Sequence, residues 1–253
     1  MEAKYSNRYG RPIYVIGDSH ASLYSGKDRI IPKWPEEPFV RGLLPFFQPI
    51  RLGPVLAYNL CEHGKPSLGR ERLFLALACI PPSSRVLLCF GEIDCRAHIL
   101  RHAERRKRPI GQVIEECIAR YFGVVLEVQR KGFEVGVSSV APSAPDGVAS
   151  NPEYPHYGGS DERNAVTEQF NCLLEAQCAD NAIFFLNVTR HLLDGNGRPL
   201  QEYFLDGVHL SQRSLMPAIS LLREEFPDMD FHVPAIAKMR CACSAWIRRI
   251  RNL

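Results

Sequence analysis

Three short runs of the sequence hold residue types suited to nucleophilic chemistry. Gly17-Asp18-Ser19-His20 directly follows an apolar segment, PIYVIG over 12–17. A glycine there permits a tight strand-to-helix turn, and the turn would present the Ser19 hydroxyl at the strand's end. A short helix starting at Ser19 would aim unpaired N–H groups at negative charge developing beside that hydroxyl. Read alone, Gly-Asp-Ser is an ordinary turn sequence. The run Asp206-Gly207-Val208-His209-Leu210-Ser211 changes its meaning. An aspartate three residues before a histidine, across a glycine-containing turn, lets the carboxylate reach back to the imidazole. It would fix the tautomer and stabilise the imidazolium, leaving the other ring nitrogen as base toward a serine. His209 by itself would be read as a satisfied structural histidine; with the early serine, the two runs support each other. The third run, Gly91-Glu92-Ile93-Asp94-Cys95-Arg96, closes another apolar segment.

These runs need elements that carry them to one place. Apolar segments of strand length occur at 12–17, 49–52, 85–91, 133–140 and 182–188. Most are apolar on both faces, the pattern of parallel strands covered by helices on both sides. The clearest helix covers 109–131, with a proline in its first turn, a glycine after its last, and apolar residues at helical spacing. A second is expected from a Ser160 N-cap, with Asp161 and Glu162 in its first turn. Shorter helices are expected at about 71–79, 214–225 and 235–249. Strands alternating with helices predict an open α/β sheet in one domain over 1–253, with a basic amphipathic C-terminal helix at about 235–251.

Two stretches break the alternation. Residues 27–50 hold five prolines, and 141–160 hold four prolines and three glycines. Both follow predicted strands, so both are expected over the carboxyl edge of the sheet, where open α/β folds bind ligands. Trp34, Tyr154, His156 and Tyr157 in these stretches could stack on a sugar or simply pin the loops down.

Composition narrows the class. The 253 residues are 45% hydrophobic and 23% charged, which excludes collagen-like, low-complexity and wholly disordered chains. Apolar runs fall short of a bilayer span, and residues 1–11 lack the apolar stretch of a secretory signal, so a cytoplasmic location is expected. Nine scattered cysteines without a CxxC pair are read as reduced, mostly buried thiols, and no metal site or cofactor is expected. A net charge of +3 gives no reason to expect a nucleic-acid partner. Basic residues do cluster, at Arg101, Arg105, Arg106, Lys107 and Arg108, and again at Lys238, Arg240, Arg248, Arg249 and Arg251. The plain reading is two solvated faces. The sharper one is docking to an acidic surface, either membrane phospholipid headgroups or a polyanionic substrate.

Taken in order, Gly17-Asp18-Ser19, Gly53, Gly91 to Asp94 and Asp206 to His209 resemble the sequence blocks of the SGNH (GDSL-type) hydrolase superfamily. The resemblance implies a flavodoxin-like three-layer α/β/α fold with a central parallel sheet. It implies Ser19 as nucleophile, His209 as general base and Asp206 as its orienting partner. The Ser19 and Gly53 N–H groups become oxyanion donors, and Gly91, Asp94, Arg96, Asp18 and His20 are grouped with them as oxyanion- or substrate-facing residues. The third block departs from the family's Gly-x-Asn-Asp. Ile93 stands at the asparagine position and cannot donate, a loss worth roughly 100- to 1000-fold in turnover. Arg96 either supplies substitute positive charge, binds an anionic group on the substrate, or pairs with Glu92 or Asp94. The implied activity is ester hydrolysis, with an O-acyl or O-acetyl carbohydrate favoured as substrate. An O-acyltransferase on a surface polysaccharide with the same triad, and a non-catalytic carbohydrate binder on a decayed scaffold, remain as alternatives.

Overall fold

The computed structural model describes residues 11–37, 39, 42–144, 146, 155–235, 237 and 238. Its five strands are β1 (Ile13–Gly17), β2 (Phe47–Arg51), β3 (Arg85–Cys89), β4 (Glu134–Ser138) and β5 (Phe184–Leu186). All pair in parallel, in the order β2-β1-β3-β4-β5. This is the flavodoxin-like order, and its switch point lies between β1 and β3. Side chains alternate across the sheet because successive strand residues point to opposite faces. Ile16, Val86 and Leu88 enter one core, while Ile13, Val15 and Leu87 enter the other.

The first core lies beneath four helices: α1 (Gly69–Ala78), α2 (Ile99–Arg106), α3 (Ile110–Arg130) and α4 (Ser160–Asp180). The second is closed by a 3-10 helix over Ser19–Ser25 and by α5 (Leu215–Glu225). The expected three-layer α/β/α arrangement with a parallel sheet is therefore present. Among the described residues, no helix is long and apolar enough to cross a membrane.

Several local expectations change. Gly159, not Ser160, holds the cap position of α4: Glu162 accepts its N–H at 2.8 Å, while Asp146 accepts the Ser160 N–H at 2.9 Å. The basic run at 101–108 is largely helical, forming α2 behind a π turn over Asp94–His98. Trp34 is buried and stacks on Phe39 at 5.7 Å, and Tyr157 packs on the first core, so both hold their loops down. His156 is exposed. The seven described cysteines are unbridged; Cys89, Cys95, Cys117 and Cys178 are buried, whereas Cys79 and Cys172 are exposed. Tyr154, Cys241, Cys243 and almost all of the expected 235–251 helix lie outside the described residues.

Candidate active site

Gly17 ends β1 against the backbone of β3. A Cβ there would stand 2.2 Å from the Cys89 carbonyl oxygen, so only glycine lets the strands pair this closely. The next residue, Asp18, is fully buried and caps the 3-10 helix by accepting the His20 N–H at 2.8 Å. That cap sets Ser19 as the first helical residue, partly exposed at the carboxyl edge.

Residues 204–210 bring the histidine to meet it. Phe204 and Leu210 form an isolated antiparallel bridge, and the intervening turn folds Asp206 back on itself. Asp206 Oδ1 accepts the N–H groups of Val208 and His209 at 2.8 and 2.7 Å. Its other oxygen lies 2.9 Å from His209 Nδ1, and His209 Nε2 lies 2.8 Å from the Ser19 hydroxyl oxygen. An ionised carboxylate can only accept, so Nδ1 carries the proton and Nε2 is left to accept from Ser19. Burial would raise the Asp206 carboxyl, but the hydrogen bonds from the His209 ring and backbone and from Val208 hold it down to about 2. A hydroxyl, an imidazole and a carboxylate are thus joined in sequence by two short hydrogen bonds.

The solved structures can now be set beside this geometry. Est24, a carbohydrate acetylesterase from Sinorhizobium meliloti, matches 86% of this chain over 99% of its own, with a TM-score of 0.52 at 18% identity. A GDSL-like lipase from Bacteroides thetaiotaomicron matches 86% over 88% of its own chain, with a TM-score of 0.50 at 14% identity. The chain carries the SGNH-hydrolase fold. No protein-family model and no curated protein matches the sequence.

The other residues expected at the site divide into two groups. Gly53 follows β2 with φ at +101°, and the Lys33 side chain passes close over it. Among the described residues, the Ser19 and Gly53 N–H groups donate to no protein acceptor. The Ile93 side chain is half-buried and has no hydrogen-bond donor to offer.

The third block proves to be largely internal. Gly91 turns the chain at φ +112°, where a Cβ would press on Val140 and Phe170. Asp94 is 1% exposed, and its carboxylate accepts the N–H groups of Ala57 and Tyr58 at 2.8 and 3.2 Å. It braces the segment that follows Gly53. Burial pushes its carboxyl up to about 7, against the pull of those two amides. Arg96 takes the pairing alternative: its Nε donates to Glu92 at 2.6 Å with both side chains buried, and its Nη1 donates to the Pro155 carbonyl. Its guanidinium is thereby held by these two protein acceptors.

Asp18 and His20 also serve from behind. Nδ1 of His20 lies 3.3 Å from Asp18, and Nε2 lies 3.2 Å from the Val208 carbonyl oxygen. Both partners are acceptors, so both ring nitrogens carry protons. Burial opposes the charge, but the Asp18 hydrogen bond and carboxylate, with Glu92 and the Val208 carbonyl, raise the imidazole to about 9. The His20 ring stands 5.3 Å from that of His209. It ties the serine turn to the histidine turn across 188 residues of sequence, a link that local spacing does not reveal. Lys27, Arg29, Ile30 and Leu205 wall the narrow cleft over Ser19, placing the start of the Pro-rich 27–50 stretch at the site as expected.

Proposed function

We propose that the chain is a serine-dependent ester hydrolase acting on O-acyl carbohydrate esters, O-acetyl esters above all. The observation that carries this reading is the Ser19–His209–Asp206 relay, with both hydrogen bonds at 2.8–2.9 Å. Ser19 Oγ attacks the ester carbonyl while His209 Nε2 takes its proton, and Asp206 steadies the imidazolium that forms. The tetrahedral oxyanion takes the N–H groups of Ser19 and Gly53. Collapse expels the sugar hydroxyl with the proton from His209, leaving an acyl-Ser19 ester that water cleaves by the same route.

An acetyl group is favoured by the likeness to a carbohydrate acetylesterase.

The test is intact mass after exposure to a fluorophosphonate, with acetate release from a peracetylated sugar measured alongside. A single adduct and acetate release with the unaltered chain, both absent in Ser19→Ala, are expected. A folded, unaltered chain that takes no adduct and releases no acetate would overturn the proposal.

A further inference from the structure

A second cavity of about 430 Å³ opens beside the third block, within the size range of small-ligand pockets. One wall is a single helical face. His98, Arg101, His102 and Arg105 follow at i, i+3, i+4 and i+7, so the π turn and α2 aim all four toward the same space. Tyr58 and Asn59 face them from the segment after Gly53, bringing a hydroxyl and an amide.

The charge of this wall is not neutralised by the protein. Arg70, Arg85, Arg96, Arg108, Arg120 and Arg163 each pair with a carboxylate. Among the described residues, Arg101 and Arg105 have no carboxylate within ion-pair distance. Asp94 also lines the cavity, but its carboxylate accepts the Ala57 and Tyr58 N–H groups, and Glu116, outside the lining, takes Arg108 and the Tyr58 hydroxyl. The cavity therefore presents two guanidinium groups and two imidazoles against the single Asp94 carboxyl, which forms no ion pair with them, a setting suited to a carboxylate or phosphate.

Its place relative to Ser19 follows from the sheet. The Tyr58 wall continues from β2 and the His98 wall from β3, and these strands flank β1, which delivers Ser19. The cavity thus borders the same carboxyl edge. We propose that it is a subsite for the anionic group of an acidic saccharide, held by Arg101, Arg105, His98 and His102 while the acyl group reaches Ser19. This rests on the hydrolase reading for the acyl group, but the binding itself does not require Ser19 chemistry.

The experiment is a calorimetric titration of the unaltered chain at low salt. Three unacylated probes are used: trigalacturonate for the carboxylate, glucose 1-phosphate for the phosphate, and neutral xylotriose. At least one acidic probe should bind about tenfold or more tightly than xylotriose, as charge-assisted hydrogen bonds to a partly enclosed anion imply. The double variant Arg101→Ala/Arg105→Ala should lose about that factor, whereas Arg106→Ala, on another face of α2, should keep it. Equal binding of acidic and neutral probes would overturn the subsite, as would unchanged affinity in the double variant. Capture on anionic phospholipid vesicles with no saccharide preference would do so as well. Fluorophosphonate labelling reports on Ser19 alone, so failure of the hydrolase reading and failure of the subsite are read separately.

Discussion

At the scale of single residues, the site depends on Asp206 more than its partial exposure suggests. One carboxylate makes three hydrogen bonds, two to backbone N–H groups that shape the turn and one to Nδ1 that sets the tautomer. Asp206→Asn can keep the turn by accepting through its amide oxygen, but its NH₂ would meet the imidazole. The ring would then turn its proton toward Ser19 and lose its role as base. Turnover of an acetyl ester should fall by about 10³- to 10⁴-fold with little change in fold, the size expected when a triad acid is neutralised. Steady-state kinetics beside circular dichroism checks this; a fall under tenfold would remove Asp206 from the mechanism. This part of the site was legible in sequence because each motif is local. A serine behind a strand-ending Gly-Asp and an Asp-x-x-His turn each carry their geometry within four residues. The roles of Asp94 and Arg96 were not legible. Their partners, the Ala57 and Tyr58 amides and the Pro155 carbonyl, come from loops whose placement only the folded sheet decides.

Elements place the nucleophile by backbone contact, and glycine substitutions should separate two causes of instability. Gly17→Ala puts a methyl 2.2 Å from a carbonyl oxygen of β3, an atom that cannot rotate away. The strands must part, weakening the Asp18 N–H to Cys89 carbonyl bond of 3.2 Å that anchors the serine turn. A loss of about 3 kcal/mol or more is expected. Gly64→Ala meets nothing within 4 Å and bears only the strain of φ +69°, so about 1 kcal/mol is expected. Urea unfolding of both variants measures the difference, and equal losses would contradict the close-approach argument. Much of the sheet could be read from sequence, since strands apolar on both faces announce burial on both sides. β2 begins at Phe47, earlier than expected, because parallel pairing with β1 draws Phe47 and Gln48 into the strand ahead of Pro49. The helix at α2 was obscured by composition. Of its eight residues only Ile99, Leu100 and Ala103 are buried, too short an apolar stripe to stand out among arginines.

For the molecule as a whole, the buried ionisable groups fix how stability varies with pH. Asp206 is held below its unfolded value, so its contribution is complete above about pH 4 and disappears as pH falls toward 2. Asp94 behaves oppositely. Its carboxyl is raised from 3.8 to about 7, so between those values the folded chain binds more protons than the unfolded chain and stability falls as pH rises. His20, raised from 6.5 to about 9, contributes fully below 6.5 and loses that contribution as pH climbs through 9. The signs combine to give greatest stability near pH 4–5, with a decline above it from each of the two upper groups, the Asp94 one first. Urea midpoints at closely spaced pH values should trace that slope in the unaltered chain. Asp94→Asn should flatten it between pH 4 and 7, and His20→Leu should flatten it between 6.5 and 9. A chain more stable at pH 8 than at pH 5, or variants that run parallel to it throughout, would show that these groups do not carry the effect. The two groups differ in the sign of their charge but share a task. Ionising Asp94 costs stability as pH rises, whereas the protonated His20 adds to it; Asp94 braces the segment after Gly53, and His20 braces the turn that carries His209, so both hold the two sides of the site in register.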